Sequence, residues 1–246
     1  MKNLKLATVG VFAFTALTGL LAPATASAAL VSGNATITID NTAFTASNAY
    51  GEYVEKFWDA SNNNLGITGA TSGGTTLSLI GNTAMLFPVN TNLVTTVCAG
   101  PGCGPYGRTL QATDMDASNT SIGQIGLSGA WRINGPGGVL TPYDFRLVKT
   151  AGTWNISTFD NAFSYQNFLK LTNVSESLNG NGELLLSGDL KLTGLWATLM
   201  GANTNTVVGT FNLAPAAVPV PAAVWMFGSG LLGLLGVSRR KAVVAA

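Results

Sequence analysis

The sequence has no histidine, and only 9 % of its residues are charged. The missing imidazole removes the commonest general base, the commonest metal ligand and every Ser-His or Cys-His nucleophile arrangement. Lys and Glu are scarce while Thr, Asn, Ser and Gly supply the polarity, a balance that favours strands and turns over helices. Basic residues are also badly placed for phosphate. Five of the 12, namely Lys2, Lys5, Arg239, Arg240 and Lys241, lie at the two ends, and all 11 acidic residues lie between them. Seven basic residues against 11 acidic ones leave the middle at −4, so it has no basic stripe and nucleic-acid binding is set aside.

What is present divides into three segments: 1–28, 29–215 and 216–246. The first has Lys2 and Lys5, an apolar run from Leu6 to Leu21, Pro23, and small residues through Ala28. That is the layout of a secretory signal peptide, with the A-x-A site at Ala26-Ser27-Ala28 and a mature chain starting at Ala29. The expected partner of this segment is a signal peptidase; an uncleaved anchor is the alternative.

The last segment carries Val218-Pro219-Val220-Pro221-Ala222, then an uncharged apolar run to Val237, then Arg239-Arg240-Lys241. As a helix, Ala222 to Val237 would reach about 24 Å, a short span of a bilayer core. Trp225 suits the outer interface, and the basic cluster belongs on the cytoplasmic side, so both ends place the body outside the inner membrane. The Pro-x-Pro box, Gly-rich apolar stretch and Arg cluster resemble the PEP-CTERM sorting signal, in a Val-Pro-Val-Pro-Ala variant in which Val220 replaces the family's glutamate. The resemblance covers only about the last 30 residues. It implies recognition by an exosortase, passage through an inner-membrane intermediate, and arrival at the surface of an exopolysaccharide-producing cell. A plain single-pass anchor is the alternative. Bodies carrying this signal are unrelated, so it speaks of location and not of fold.

In the middle segment, alternation marks half-buried strands. One apolar face runs Ile125, Leu127, Gly129, Trp131, Ile133; another runs Leu184, Leu186, Gly188, Leu190, Leu192, Gly194, Trp196. Shorter faces are Tyr143, Phe145, Leu147 and Val207, Gly209, Phe211, Leu213. Turn clusters separate them, and Asn179 to Gly182 has the strongest hairpin chemistry. About nine strands are expected, in an all-β or mostly β, two-layer antiparallel sandwich or jelly-roll-like fold. Within Asn48 to Ala60, Tyr50, Tyr53, Val54, Phe57 and Trp58 recur at near-helical spacing, which predicts a short helix or an aromatic loop.

Cys98 and Cys103 flank a four-residue turn in an exported chain, and a disulfide is the leading reading. A metal site lacks further soft ligands, and the spacing is not that of a redox C-x-x-C. Asp114 and Asp116, with Ser118 and Asn119, form an oxygen-rich loop that would hold calcium, or is simply solvated; the EF-hand template does not fit. Glu52, Glu55, Asp59, Glu176 and Glu183 are the carboxylates from which a glycosidase pair would have to come. Tyr50, Tyr53, Trp58 and Tyr106 would stack on sugar rings, with core packing as the bland alternative. No cofactor and no catalytic set are expected. The chain reads as an exported, non-catalytic surface or matrix protein, with a carbohydrate-binding module and a secreted hydrolase as alternatives.

Overall fold

Antiparallel hairpins build the body, and several of the described turns use a residue that takes a positive φ. The computed structural model describes residues 29–59, 74–91, 95–98, 108–160 and 164–215. In chain order these hold β1 (Asn34–Asp40), α1 (Asn41–Ser47), β2 (Tyr53–Asp59), β3 (Thr75–Thr76), β4 (Asn82–Pro88), β5 (Thr95–Cys98), β6 (Arg108–Leu110) and β7 (Ile125–Gly135). There follow β8 (Gly138–Leu140), β9 (Tyr143–Thr150), β10 (Thr153–Asp160), β11 (Ser164–Leu178), β12 (Leu184–Leu192), α2 (Gly194–Leu199) and β13 (Val207–Ala214). Asn179 to Gly182 does turn β11 into β12: the Asn179 N–H donates to the Glu183 carbonyl at 2.9 Å, and Gly182 has φ +78°.

Eleven strands form one sheet in the order β3-β2-β7-β9-β10-β11-β12-β13-β1-β4, with β8 beside β7; β5 and β6 pair apart from it. Every pairing is antiparallel. The chain is therefore mostly β, as its alternation implies. The sheet curls until β4 returns to β7, where Val89 bridges Leu127 and the Asn90 N–H donates to the Gly126 carbonyl at 2.8 Å. The facing layers that amphipathic strands require thus come from one sheet wrapped on itself.

The expected faces of β7 and β12 point into that curl: Ile125, Leu127, Trp131, Ile133, Leu184, Leu186, Leu190 and Leu192 are all buried in the core. A run of tilted and edge-to-face rings crosses it. Phe57 meets Phe87 at 4.9 Å between centroids, Phe87 meets Phe145 at 5.2 Å, and Trp131 meets Phe168 at 5.6 Å, all within the favourable aromatic range. Gly129 makes this possible, because a Cβ there would lie 2.5 Å from the Phe87 ring.

Four expectations need correction. Among the described residues there are thirteen strands rather than about nine, because several are only two to four residues long. The segment read as a helix or aromatic loop is strand β2; its helical spacing comes from a register shift between Val54 and Lys56, which brings Val54 and Phe57 opposite Ile133 and Trp131. The helix lies earlier, at α1, where Asp40 Oδ1 caps the N–H groups of Thr42 and Ala43 at 2.9 and 3.2 Å. The alternation running on to Trp196 outlasts its strand: β12 stops at Leu192, Gly194 turns the chain at φ +64°, and Trp196 packs on Phe168 from α2. In β13 a shift opposite Leu190 and Lys191 puts Val208 in the core and leaves Val207 exposed.

Candidate functional site

The carboxylates are dispersed over several elements. Just ahead of β2, Glu52 is buried beneath the turn that joins β7 to β8, so close that a Cβ on Gly137 would lie 2.8 Å from its Oε1 and one on Gly135 would lie 2.9 Å from its Cγ. Asn48 holds its backbone at both ends: Oδ1 accepts the Glu52 N–H and Nδ2 donates to the Glu52 carbonyl, each at 2.8 Å. Burial raises the Glu52 pKa above the ordinary carboxylate value. Glu55 is ion-paired with Arg132 at 2.7 Å, across the β2–β7 pairing. Glu183 accepts from the Asn179 side chain at 2.8 Å inside the β11–β12 turn, and Asp59 closes β2.

Glu176, on β11, gathers three elements. Its Oε2 accepts from Lys149 of β9 at 2.7 Å and from the buried Trp154 indole of β10 at 2.9 Å, while Oε1 accepts from Thr120 at 2.6 Å. Desolvation pushes its pKa up, but the donors and the Lys149 charge outweigh it, and the net shift is down. This clasp pins the loop ahead of β7 onto the sheet. β2 is separated from β11 by β7, β9 and β10. At about 4.8 Å per strand that is roughly 19 Å measured along the curled sheet.

The Asp114 and Asp116 loop uses its oxygens on itself. Asp114 Oδ1 accepts the Gln124 N–H at 2.6 Å, and Asp116 Oδ1 accepts the N–H and hydroxyl of Ser118 at 2.8 and 2.9 Å. The Asp116 contact is an Asx-type turn, and the Asp114 contact ties the two ends of the loop together. Among the described residues no group of three or more His, Cys, Asp or Glu side chains stands together as a metal site would require.

Of the aromatics, Trp58 is 1 % exposed, so it is a packing residue and offers no ring to a sugar. Tyr53 is half-buried, and Tyr50 is 50 % exposed beside Gly137. Tyr106 and Cys103 lie outside the described residues, as do segments 1–28 and 216–246 with their leader and tail; Cys98 closes β5. Ala29 opens the described body, its carbonyl accepting the Ala117 N–H at 3.1 Å. No helix among the described residues is long and apolar enough to cross a membrane.

Sequence reasoning missed one polar constellation on the β9–β11 surface. The Arg146 guanidinium lies 4.1 Å from the Tyr165 ring centroid and donates to Gln124 Oε1 at 3.2 Å. The Gln124 amide donates to the Ala112 carbonyl at 2.9 Å, and the Ser157 hydroxyl donates to Asn167 Oδ1 at 2.8 Å. Burial raises the Tyr165 pKa, the Asp144 carboxylate adds to this, and Arg146 and a Gln111 hydrogen bond oppose it. The phenol therefore stays neutral and serves as a hydrogen-bonding, stacking group. Its members come from positions 111, 124, 146, 157, 165 and 167, so no local motif announces them. Searches against protein-family models, curated proteins and solved structures find no match to this chain.

Proposed function

We propose that this chain is an exported, non-catalytic surface or extracellular-matrix protein, sorted through its C-terminal tail, whose β-sandwich or jelly-roll-like body contributes structure or adhesion in an exopolysaccharide-associated envelope. One observation carries the reading: a leader ending at Ala26-Ser27-Ala28 precedes the body, and a Pro box, apolar run and Arg cluster follow it. The body's chemistry is in keeping with it, since Glu55, Glu176 and Glu183 are committed to internal donors. In this reading a signal peptidase and an exosortase act on the chain in turn, with the tail holding it in the inner membrane between the two steps. Cys98 and Cys103 form a disulfide in the exported protein.

The intact mass and terminal residues of protein from membrane and extracellular fractions test this. A chain starting at Ala29 and ending between Val218 and Ala222 is the expected product. The same start with Arg239 to Ala246 still attached would make the tail a plain anchor facing the periplasm. Thiol labelling of the native exported protein should find no free cysteine; two reactive thiols would defeat the disulfide.

A second reading, a carbohydrate-binding module, is favoured by exposed Tyr50. Tyr50→Ala should then abolish retention on the producing cell's own polysaccharide at unchanged melting temperature. Retention that survives the substitution removes this reading.

A further inference from the structure

The eleven-stranded sheet has two ends that differ in kind. At one, β3 is two residues long, a short edge of the sort that resists pairing with other chains. At the other, β4 is seven residues long and, among the described residues, its one paired strand is β1; past its end Val89 bridges Leu127 on the opposite side.

In an antiparallel pair, the N–H and C=O of alternate residues face the partner. The Val89 N–H donates to Gly33 on the β1 side at 2.9 Å, and the Asn90 N–H donates away from β1 to Gly126 at 2.8 Å. Odd-numbered residues of β4 therefore bond β1, and even-numbered ones face outwards. Pro88, which has no N–H, sits in the outward set, where an edge strand tolerates it. Towards the start of the strand, Asn82, Ala84 and Leu86 make no outward backbone hydrogen bond to described residues. Leu86 is 52 % exposed, and Leu79 and Ile80, just before the strand, are 57 % and 77 % exposed.

Natural edges of this length are blunted by charge. Here the 48 residues from Ala60 to Gly107 contain no Asp, Glu, Lys or Arg, and β4 lies within them. A charged partner segment would find no counter-charge on this edge, whereas a copy of the same strand meets no like charge.

We propose that β4 is a strand-addition site whose occupant is β4 of a second copy of this chain. The two strands run antiparallel about a two-fold axis through Ala84, with Asn82 of each copy opposite Leu86 of the other. An axis through an even-numbered residue is the one that sets outward N–H and C=O groups against each other. The pairing is isologous and closes as a dimer, with Leu86 and Ile80 supplying apolar cover at each end of the joint. It concerns the folded body in solution and holds or fails independently of where the tail sends the protein.

The test is sedimentation of the exported chain across a hundredfold concentration range, with amide hydrogen exchange at each end of the range. A monomer–dimer equilibrium is expected, with the Asn82, Ala84 and Leu86 amides gaining protection as concentration rises and the odd-numbered β4 amides protected throughout. Ala84→Pro removes an outward N–H without touching a β1 bond, and Leu86→Lys places charge on the joint. Each should shift the dimer dissociation constant at least tenfold while the melting temperature stays within a few degrees. A strict monomer, a dimer indifferent to both variants, or even-numbered amides protected at every dilution by the chain's own residues would each overturn the proposal.

Discussion

Ala151 holds φ +48° and Gly152 φ +78° in the two-residue turn between Thr150 and Thr153, a type I′ arrangement in which an L-residue other than Asn or Asp is strained. Ala151→Asn should raise stability by about 1 kcal/mol in urea melts. At Gly209 the reverse holds: a Cβ would lie 2.1 Å from the Thr38 carbonyl oxygen, so Gly209→Ala should cost about 1–3 kcal/mol through displaced backbone. The two displaced glutamates pull stability in opposite directions with pH. Glu176 has a folded pKa below its unfolded one, so its contribution is full above the unfolded value and is lost as pH falls through the folded value. Glu52 has a folded pKa above its unfolded one, so its contribution is full below the unfolded value and is lost as pH rises through the folded one. Stability–pH curves should therefore lose acid-side slope in Glu176→Gln and gain neutral-pH stability in Glu52→Gln; a curve unchanged in both would contradict these shifts. Glu176 was not singled out by its sequence neighbours, because Thr120, Lys149 and Trp154 come from other elements.

Elements were legible where the ladder is regular and illegible where it slips. β7 and β12 keep their apolar residues in phase over the core-facing positions, so alternation alone locates them. β2 and β13 each carry a register shift, which changes the period within the strand; in β2 the result mimics a helix, and in β13 it exchanges Val207 for Val208. α1 was missed for the opposite reason. Its seven residues, Asn-Thr-Ala-Phe-Thr-Ala-Ser, have modest helix propensity, and it is held by the Asp40 cap and by packing of Phe44 into the core. Asp40→Ala should cost about 1 kcal/mol, measurable as a lowered urea midpoint at constant slope.

At the scale of the molecule, a mostly β body follows from amphipathic strands without a covering helix, but neither the strand count nor the order in which strands meet follows from any local pattern. The curl is closed by few bonds: Asn90 donates from its backbone to Gly126, accepts from Thr113 at 2.9 Å, and donates from its side chain to Gln111 at 2.8 Å. Native-state hydrogen exchange should show the Asn90 and Thr113 amides opening well below the free energy of the β12–β13 ladder, and Asn90→Ala should widen that gap. The pairing of β1 with β13 sets Asn34 against Ala214, uniting the first and last strands of the body. The body therefore cannot complete its sheet until the last strand has been made and delivered, so β1 waits through the whole of synthesis with one neighbour missing. Loss of either strand would leave the same row of backbone groups open, so the two ends of the body stand or fall together.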